Sequence, residues 1–409
     1  MSKIINDPVY GFIRIKNPLV QKIIDHPYFQ RLRRIKQMGS AELVYPGANH
    51  TRFHHSLGAY HLMGVALHEL QLKGIKTSKE ERLHSSLAIL LHDIGHGPFS
   101  HALEKIIIPG LHHESLSKQL IQVLNEEFNG KLEQTLAIFN NTYTDKPWLH
   151  ALISSQYDMD RMDYLNRDSY YTGVSEGVIG YDRILHMLTV QNDTLVVEEK
   201  GLHSIEKFLI ARRIMYWQVY QHKAVLAAEL IINQILKRAK ELFLQNKDIY
   251  VLSPLKYFFA LENENKNFNN LDYKSLELFC ELDDYDIVQH IKIWSKSNDY
   301  VLSQLCKGYL ERKIYKIISF NEETHKEWKE KMENMHANHL NNQEELNYFV
   351  FNGKASNRFY DIQSDAILFQ SKSGNLKSLH EYEHSLIHAE IPLVLEKNYL
   401  AYFPHEERK

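Results

Sequence analysis

The chain has 409 residues, a formal net charge of −3, 44% hydrophobic and 24% charged residues. That is enough to bury a sizeable core, and it gives no global electrostatic case for a nucleic-acid or membrane partner. Its two cysteines, Cys280 and Cys306, exclude a disulfide framework and a cysteine-based zinc site. The opening MSKIINDPVYGFIRI lacks the apolar core of a secretory signal, and the longest apolar stretches are too short to span a bilayer, so a cytoplasmic protein is expected.

In chain order, Leu83, Leu87, Leu90, Leu91 and Ile94 repeat at helical spacing and predict a helix over 81–94. Gly95, Gly97 and Pro98 break it. The run 205–243 holds neither Gly nor Pro and reads as one long helix or two abutting ones. Asparagine-rich stretches at 263–270 and 334–342 read as loops, and the pattern is dominantly helical to about residue 330. Residues 361–370 and 389–402 are rich in β-branched and aromatic types around a turn at Ser371, Ser373 and Gly374, and read as strands. The expectation is a mainly α protein: a helical N-terminal domain over 1–245 and a smaller C-terminal α+β region over 246–409.

Histidine is unevenly spread. Eleven of the 24 fall between His50 and His113, several times their even share, and histidine is the commonest metal ligand and the usual proton shuttle near neutral pH. His92 and Asp93 are adjacent where the predicted helix ends, so both side chains can converge on one point, with His96 and His101 just beyond. Arg52 to His55 stand immediately before another helical segment. Further on, Asp160, Asp163 and Tyr164 share one helical face at i, i+3 and i+4. Two histidines and two carboxylates make a mixed nitrogen and oxygen site suited to Mn, Fe, Zn or, least well, Mg. Arg52, Arg161 and Arg212 supply cations for phosphate oxygens. The succession HH, HD and a later D, with arginines beside two of them, is the signature of the HD superfamily.

The likeness extends further. NDPVYGFI, FQRLRRIKQMGSAELVYPGANHTRFHHSLG, LLHDIGHGPFSHALE, HHES, DMDRMDYLNRDSYYTG and YQHK, all within about residues 3–240, closely resemble the SAM-and-HD-domain-containing dNTP triphosphohydrolases and their bacterial HD phosphohydrolase relatives. The resemblance implies an HD-domain helical fold and hydrolysis of deoxynucleoside triphosphates to deoxynucleoside and triphosphate. It implies that His55, His92, Asp93 and Asp160 hold a divalent metal, and that His96, His101 and His113 line the triphosphate, His101 protonating the leaving 5′ oxygen. Arg52, Arg161, Arg212 and Tyr164 match phosphate contacts. Gln37 and Asp168 match the pair that holds the sugar 3′-hydroxyl. Tyr220 matches the ring that leaves no room for a 2′-hydroxyl, and Arg212, Tyr216, Tyr220 and Lys223 read as one stripe of a single helix.

The family assembles as a tetramer under guanine and deoxynucleotide triphosphates. Here the resemblance implies a homo-oligomer, a tetramer or, without nucleotide, a dimer, with GTP or dGTP as activator. Asp25, Gln30 and Arg33 match its guanine readers, Lys3 a neighbouring phosphate contact, and Arg183, His222 and Lys223 part of a second nucleotide site. The first motif lies almost at Met1, so no separate regulatory domain is expected ahead of the HD core. The chain departs from the family at Tyr10 for histidine, Arg161 for lysine, Glu104 for aspartate and Tyr170–Tyr171–Thr172 for His–His–Leu, which bears on substrate preference and rate. The same metal set also serves a phosphomonoesterase or phosphodiesterase acting on another nucleotide, and a third reading is a nucleotide-sensing, nucleic-acid-binding oligomer.

Overall fold

In the computed structural model, which describes residues 3–99, 106–108, 110–261, 271–358, 366–387 and 394–404, the chain begins with an antiparallel hairpin of Lys3–Asp7 against Gly11–Ile15. Asp7 Oδ1 accepts the amides of Val9 and Tyr10 at 2.9 and 3.0 Å, and Gly11 turns the chain at φ +73°. Alternation then buries Ile13 and Ile15 on one face. The hairpin belongs to the first motif, which the helical pattern of its surroundings did not mark as strand.

The Arg52–Leu72 helix lies at the centre and is buried on most of its faces. Phe53 and Leu57 join one hydrophobic cluster, while Ala59, Leu62, Met63 and Ala66 join the other. Arg52 to His55 form its first turn rather than standing immediately before it. The Lys79–Leu91 helix packs beside it, started by a capping box in which Ser78 and Glu81 each accept the other's amide. It ends at Leu91, three residues short of the predicted end, so His92 and Asp93 sit in the turn that follows. The Met159–Thr172 helix crosses the central helix. It is capped by Asp158, which accepts the Arg161 amide at 2.7 Å, and closed by left-handed Gly173.

The run 205–243 resolves into two helices, Leu202–Met215 and Lys223–Leu244, joined through a π-helical turn at Tyr216–Tyr220. His222 Nδ1 accepts the Ala224 amide and starts the second. The single stripe expected for Arg212, Tyr216, Tyr220 and Lys223 is therefore broken: the wide turn and the new cap carry Lys223 away from Arg212.

The C-terminal part is α+β. The Glu322–His336 helix runs into the stretch read as a loop from 334, and the loop expected at 263–270 lies outside the described residues. Val394–Tyr402 is the middle strand between Lys316–Ser319 and Val350–Arg358, both antiparallel to it. Residues 361–365 and 389–393 fall outside the described residues, while Leu368–Gln370 is a strand that pairs in parallel with Thr194–Glu198. One hydrophobic cluster runs from Ile13 to Phe403, so the two parts of the chain share a core.

One buried contact ties the C-terminal part to the loops of the N-terminal part. Asp284 Oδ2 accepts the Lys36 amide and Oδ1 the Phe99 amide, both at 2.8 Å. Burial pushes its carboxyl up from 3.8 to about 7, although the two amides and Lys36 pull the other way. A folded-state value above the unfolded one means that folding favours the protonated form. The contribution of Asp284 to stability therefore falls as pH rises from about 4 to about 7 and is flat beyond. Urea titrations across that window should show a shallower decline for Asp284→Asn than for the parent chain; equal slopes would refute this.

Candidate metal centre and substrate cleft

Four side chains from three elements meet at one point. His55 comes from the first turn of the Arg52–Leu72 helix, His92 and Asp93 from the turn after Leu91, and Asp160 from the first turn of the Met159–Thr172 helix. His55 Nε2 lies 3.3 Å from His92 Nε2 and 3.1 Å from Asp160 Oδ1, and His92 Nε2 is 3.5 Å from the same oxygen. Asp93 closes the set, with Oδ2 3.6 Å from His55 Nε2 and Oδ1 3.4 Å from His92 Nε2. Donors each about 2.1 Å from one ion lie roughly 3.0–3.4 Å apart in octahedral or tetrahedral geometry, so these spacings fit a single divalent cation.

The hydrogen bonds behind the donors point the same way. His92 Nδ1 donates to the Ile89 carbonyl at 2.6 Å and His55 Nδ1 to Asp163 Oδ2 at 2.8 Å, leaving both Nε2 lone pairs turned to the shared point. Burial pushes the imidazole of His55 down, but hydrogen bonds to Asp160 and Asp163 outweigh it and raise its pKa to about 10. Burial likewise lowers His92 and raises Asp160, and in both the facing opposite charges win: His92 goes up, Asp160 far down. The cluster stabilises positive charge at its centre, which a metal ion supplies without protonating its ligands.

Asp163 is itself fixed. Arg167 grips it at 2.9 and 3.0 Å and reaches Asp7 in the hairpin at 2.8 Å, so a buried chain Asp7–Arg167–Asp163–His55 stands behind the centre. Gly58 makes room for it: a Cβ there would lie 1.8 Å from Asp163 Oδ1 and 2.2 Å from Arg167 Nη2. Reading the sequence placed Asp163 on the right helical face but assigned no role to Arg167 or Asp7. Only the spacing of Asp163 and Arg167 at i and i+4 signalled the pair.

Beside the donors opens a cleft of about 470 Å³ whose walls include His113, Lys118, His150 and Arg161. Lys118, a cation, and His150 are lining residues the sequence reading did not single out. His96 stacks on His113 at 3.9 Å, and its Nε2 is 3.3 Å from Asp93 Oδ1. Burial and the neighbouring Arg52 keep its imidazole well below its usual pKa, hence neutral. The stack depends on Gly95, where a Cβ would meet the His113 carbonyl and the Ser117 amide at 2.3 Å. His55, His92 and Asp160 have ligand atoms within 4.8 Å of one another, and so, as a separate group, do Asp93, His96 and His113. Arg52 pairs with Asp93 at 2.5 Å, and Arg161 with its own cap, Asp158, at 2.9 Å. Burial lifts the Asp158 carboxyl to about 6 against the pull of Arg161. His101 and Glu104 lie outside the described residues.

A second group lies further along the Met159–Thr172 helix. Tyr164 packs edge-on against Tyr220 at 6.1 Å, and the Tyr220 hydroxyl donates to Asp168 Oδ2 at 2.7 Å. Gln37 Oε1 is buried with no hydrogen-bond partner among the described residues. Arg212 turns to Gln156, with Nη1 3.1 Å from Oε1.

The residues matched to regulatory nucleotides fall in separate places. Lys3 pairs with Asp25 at 2.5 Å on an exposed surface, and Arg33 Nε donates to Gln30 Oε1 at 2.8 Å. His222 and Lys223 line a cleft of about 820 Å³ with Arg312, Lys313, Lys316 and Lys397. Arg183 is not in that lining; it donates to the Lys200 carbonyl at 3.3 Å.

Comparison with known proteins matches the HD domain over residues 52–168 and an HD associated region over 179–265. A crystal structure of a phosphohydrolase from Bacteroides thetaiotaomicron VPI-5482 is 42% identical with a TM-score of 0.90, covering 99% of this chain and 100% of its own. The uncharacterized protein YwfO of Bacillus subtilis (strain 168) is 36% identical over 78% of this chain and 72% of its own length. The deoxynucleoside triphosphate triphosphohydrolase SAMHD1 of Gallus gallus is 30% identical over 58% of this chain, an alignment that covers 46% of that relative. Among the described residues no helix is long and apolar enough to cross a membrane.

Proposed function

The chain belongs to the HD-domain phosphohydrolase family, and on that premise we propose that it cleaves deoxynucleoside triphosphates to deoxynucleoside and inorganic triphosphate. The observation that carries the choice of substrate is the pairing of the Tyr220 hydroxyl with Asp168; the Gln37 side-chain carbonyl is buried with no hydrogen-bond partner among the described residues. Asp168 stands eight residues, about 12 Å, along one helix from Asp160. A sugar and its polyphosphate tail span that distance; a lone phosphomonoester does not. Asp168 and Gln37 offer partners to a 3′-hydroxyl, and the Tyr220 ring fills the space a 2′-hydroxyl needs.

Water adds to the α-phosphorus and the bond to the 5′ oxygen breaks, so that oxygen must gain a proton and the added water must lose one. When bound at His55, His92, Asp93 and Asp160, a divalent cation (Mn, Fe, Zn or Mg) supplies Lewis acidity for this step. Lys118 and Arg161 hold the tail by charge, and His113 lines the same cleft. Neutral His96, its Nδ1 without a partner among the described residues, stands against His113 at the triphosphate. His101 is the proposed donor to the leaving oxygen. Arg52 and Arg212 stay within this scheme as cations that move from Asp93 and Gln156 to phosphate oxygens, and Tyr164 as a phosphate contact.

We further assign regulation to the exposed Lys3, Asp25, Gln30 and Arg33 group, where a carboxylate, an amide and a guanidinium complement guanine, and to the cleft at His222 and Lys223. GTP or dGTP would bridge copies of the chain there into a homo-oligomer; Arg183 would reach that site only across such an interface.

The test is a product analysis with Mn²⁺ and each dNTP, with and without GTP, while light scattering follows mass. Triphosphate and deoxynucleoside in equal amounts are expected, with faster turnover and higher mass when GTP is present. Release of phosphate or pyrophosphate alone, or turnover only of a monoester, would return the site to a phosphomonoesterase or phosphodiesterase.

A further inference from the structure

His50 belongs to the histidine-rich segment yet holds none of the metal donors. Its side chain is 0% exposed, and its Nε2 lies 2.7 Å from Asp168 Oδ1. A carboxylate only accepts, so this nitrogen carries the proton. The ring stacks on Tyr171 at 4.4 Å and 19°, which fixes its plane. The buried Nδ1 has no hydrogen-bond partner among the described residues, so the bond to Asp168 is the polar contact that orients the ring. The main chain of the same residue accepts the Gln37 amide at 3.0 Å. His50 thus touches both groups assigned to the sugar, one through its ring and one through its backbone.

We propose that His50 is a positioning residue for sugar specificity: by binding one oxygen of Asp168 it sets where the other oxygen holds the Tyr220 hydroxyl. This rests on the deoxynucleotide reading above and deepens it. The last torsion of an aspartate is broad and nearly two-fold, so a carboxylate bonded on one side only can turn. Held on both sides, by His50 on Oδ1 and Tyr220 on Oδ2, it cannot turn without giving up a bond. It still has lone pairs for a 3′-hydroxyl. Without the imidazole N–H, the carboxylate turns toward whichever donor is nearest, the Tyr220 ring loses its anchor, and a sugar with a second hydroxyl can enter. The metal donors are untouched, so the loss falls on discrimination rather than on the hydrolytic step.

Two substitutions separate the bond from the packing. His50→Phe keeps a ring on Tyr171 and removes the donor; His50→Gln keeps an N–H and removes the ring. The readout is kcat/KM for a dNTP and its matching ribonucleotide on the full-length metal-loaded protein, with metal content and melting temperature as controls. The wild type should prefer the dNTP. His50→Phe should lose roughly tenfold of that preference, with metal content unchanged, while His50→Gln keeps most of it. If His50→Phe does not fold, His50→Asn, polar but too short for Asp168, should show the same loss. A wild type that discriminates alongside a Phe or Asn variant that discriminates as well overturns the inference alone, as does an equal loss in the Gln variant. A wild type without dNTP turnover overturns the substrate reading and takes the inference with it.

Discussion

Replacing His92 and Asp93 together by alanine should abolish hydrolysis of any phosphoester the protein cleaves and remove the metal from the purified chain. Asp93 oxygens lie 3.4 Å from His92 Nε2 and 3.6 Å from His55 Nε2, and both residues sit in a turn, not within a helix, so their removal leaves the surrounding helices intact. A Lewis-acid centre contributes several kcal/mol to phosphoryl transfer, so the fall should be on the order of a thousandfold or more. Metal analysis and turnover on the same preparations check it. Wild-type metal content, or turnover within tenfold of wild type, would sink the metal centre. The substitution also frees Arg52 from Asp93. A gain in triphosphate affinity with turnover gone would therefore separate Arg52's binding role from the chemistry.

Arg167→Met should produce the largest loss of stability. Arg167 is 0% exposed in its side chain and joins Asp163 to Asp7, so its removal takes the guanidinium from two buried carboxylates and leaves Asp163 with His55 alone. Breaking a buried pair from one side costs about 3–5 kcal/mol, more than an exposed ion pair contributes. Urea titration measures it, and a change below about 1 kcal/mol would refute it. Activity should fall as well, because Asp163 orients His55 and loss of such support typically costs 10–100-fold in metal affinity or rate. The pH dependence has a definite sign. Burial raises the Asp163 carboxyl, but Arg167 and His55 hold it below 3.8, so its contribution to stability is full above that value and fades as pH falls below it. Arg167→Met should lose part of that acid sensitivity. Arg167→Lys, with one charge but no fork, should fall between wild type and methionine.

Much of the candidate metal centre was legible in the chain because the relevant information is local. His92 and Asp93 adjoin one another where Gly95, Gly97 and Pro98 forbid a helix, and a helix end is the place where neighbouring side chains can converge. Asp160, Asp163 and Tyr164 share a face by the 3.6-residue period alone. The break between the Leu202–Met215 and Lys223–Leu244 helices was not legible as a boundary. No Gly or Pro marks the π turn at Tyr216–Tyr220. The same turn separated Lys223 from Arg212, which periodicity had joined.

By itself, then, the order of residues determined the donor types of the candidate site, the mainly helical class and the strands near the C-terminus. All of these rest on spacings of a few residues. Tertiary structure decided the rest. It set Arg167 on Asp7, 160 positions away, His50 on Asp168 across 118, and Asp284 on Phe99 across 185. It also laid Leu368–Gln370 beside Thr194–Glu198. Such pairs form because a buried polar group must find a partner somewhere in the packed interior. Which partner it finds depends on the path of the whole chain, and no short stretch of residues carries that path.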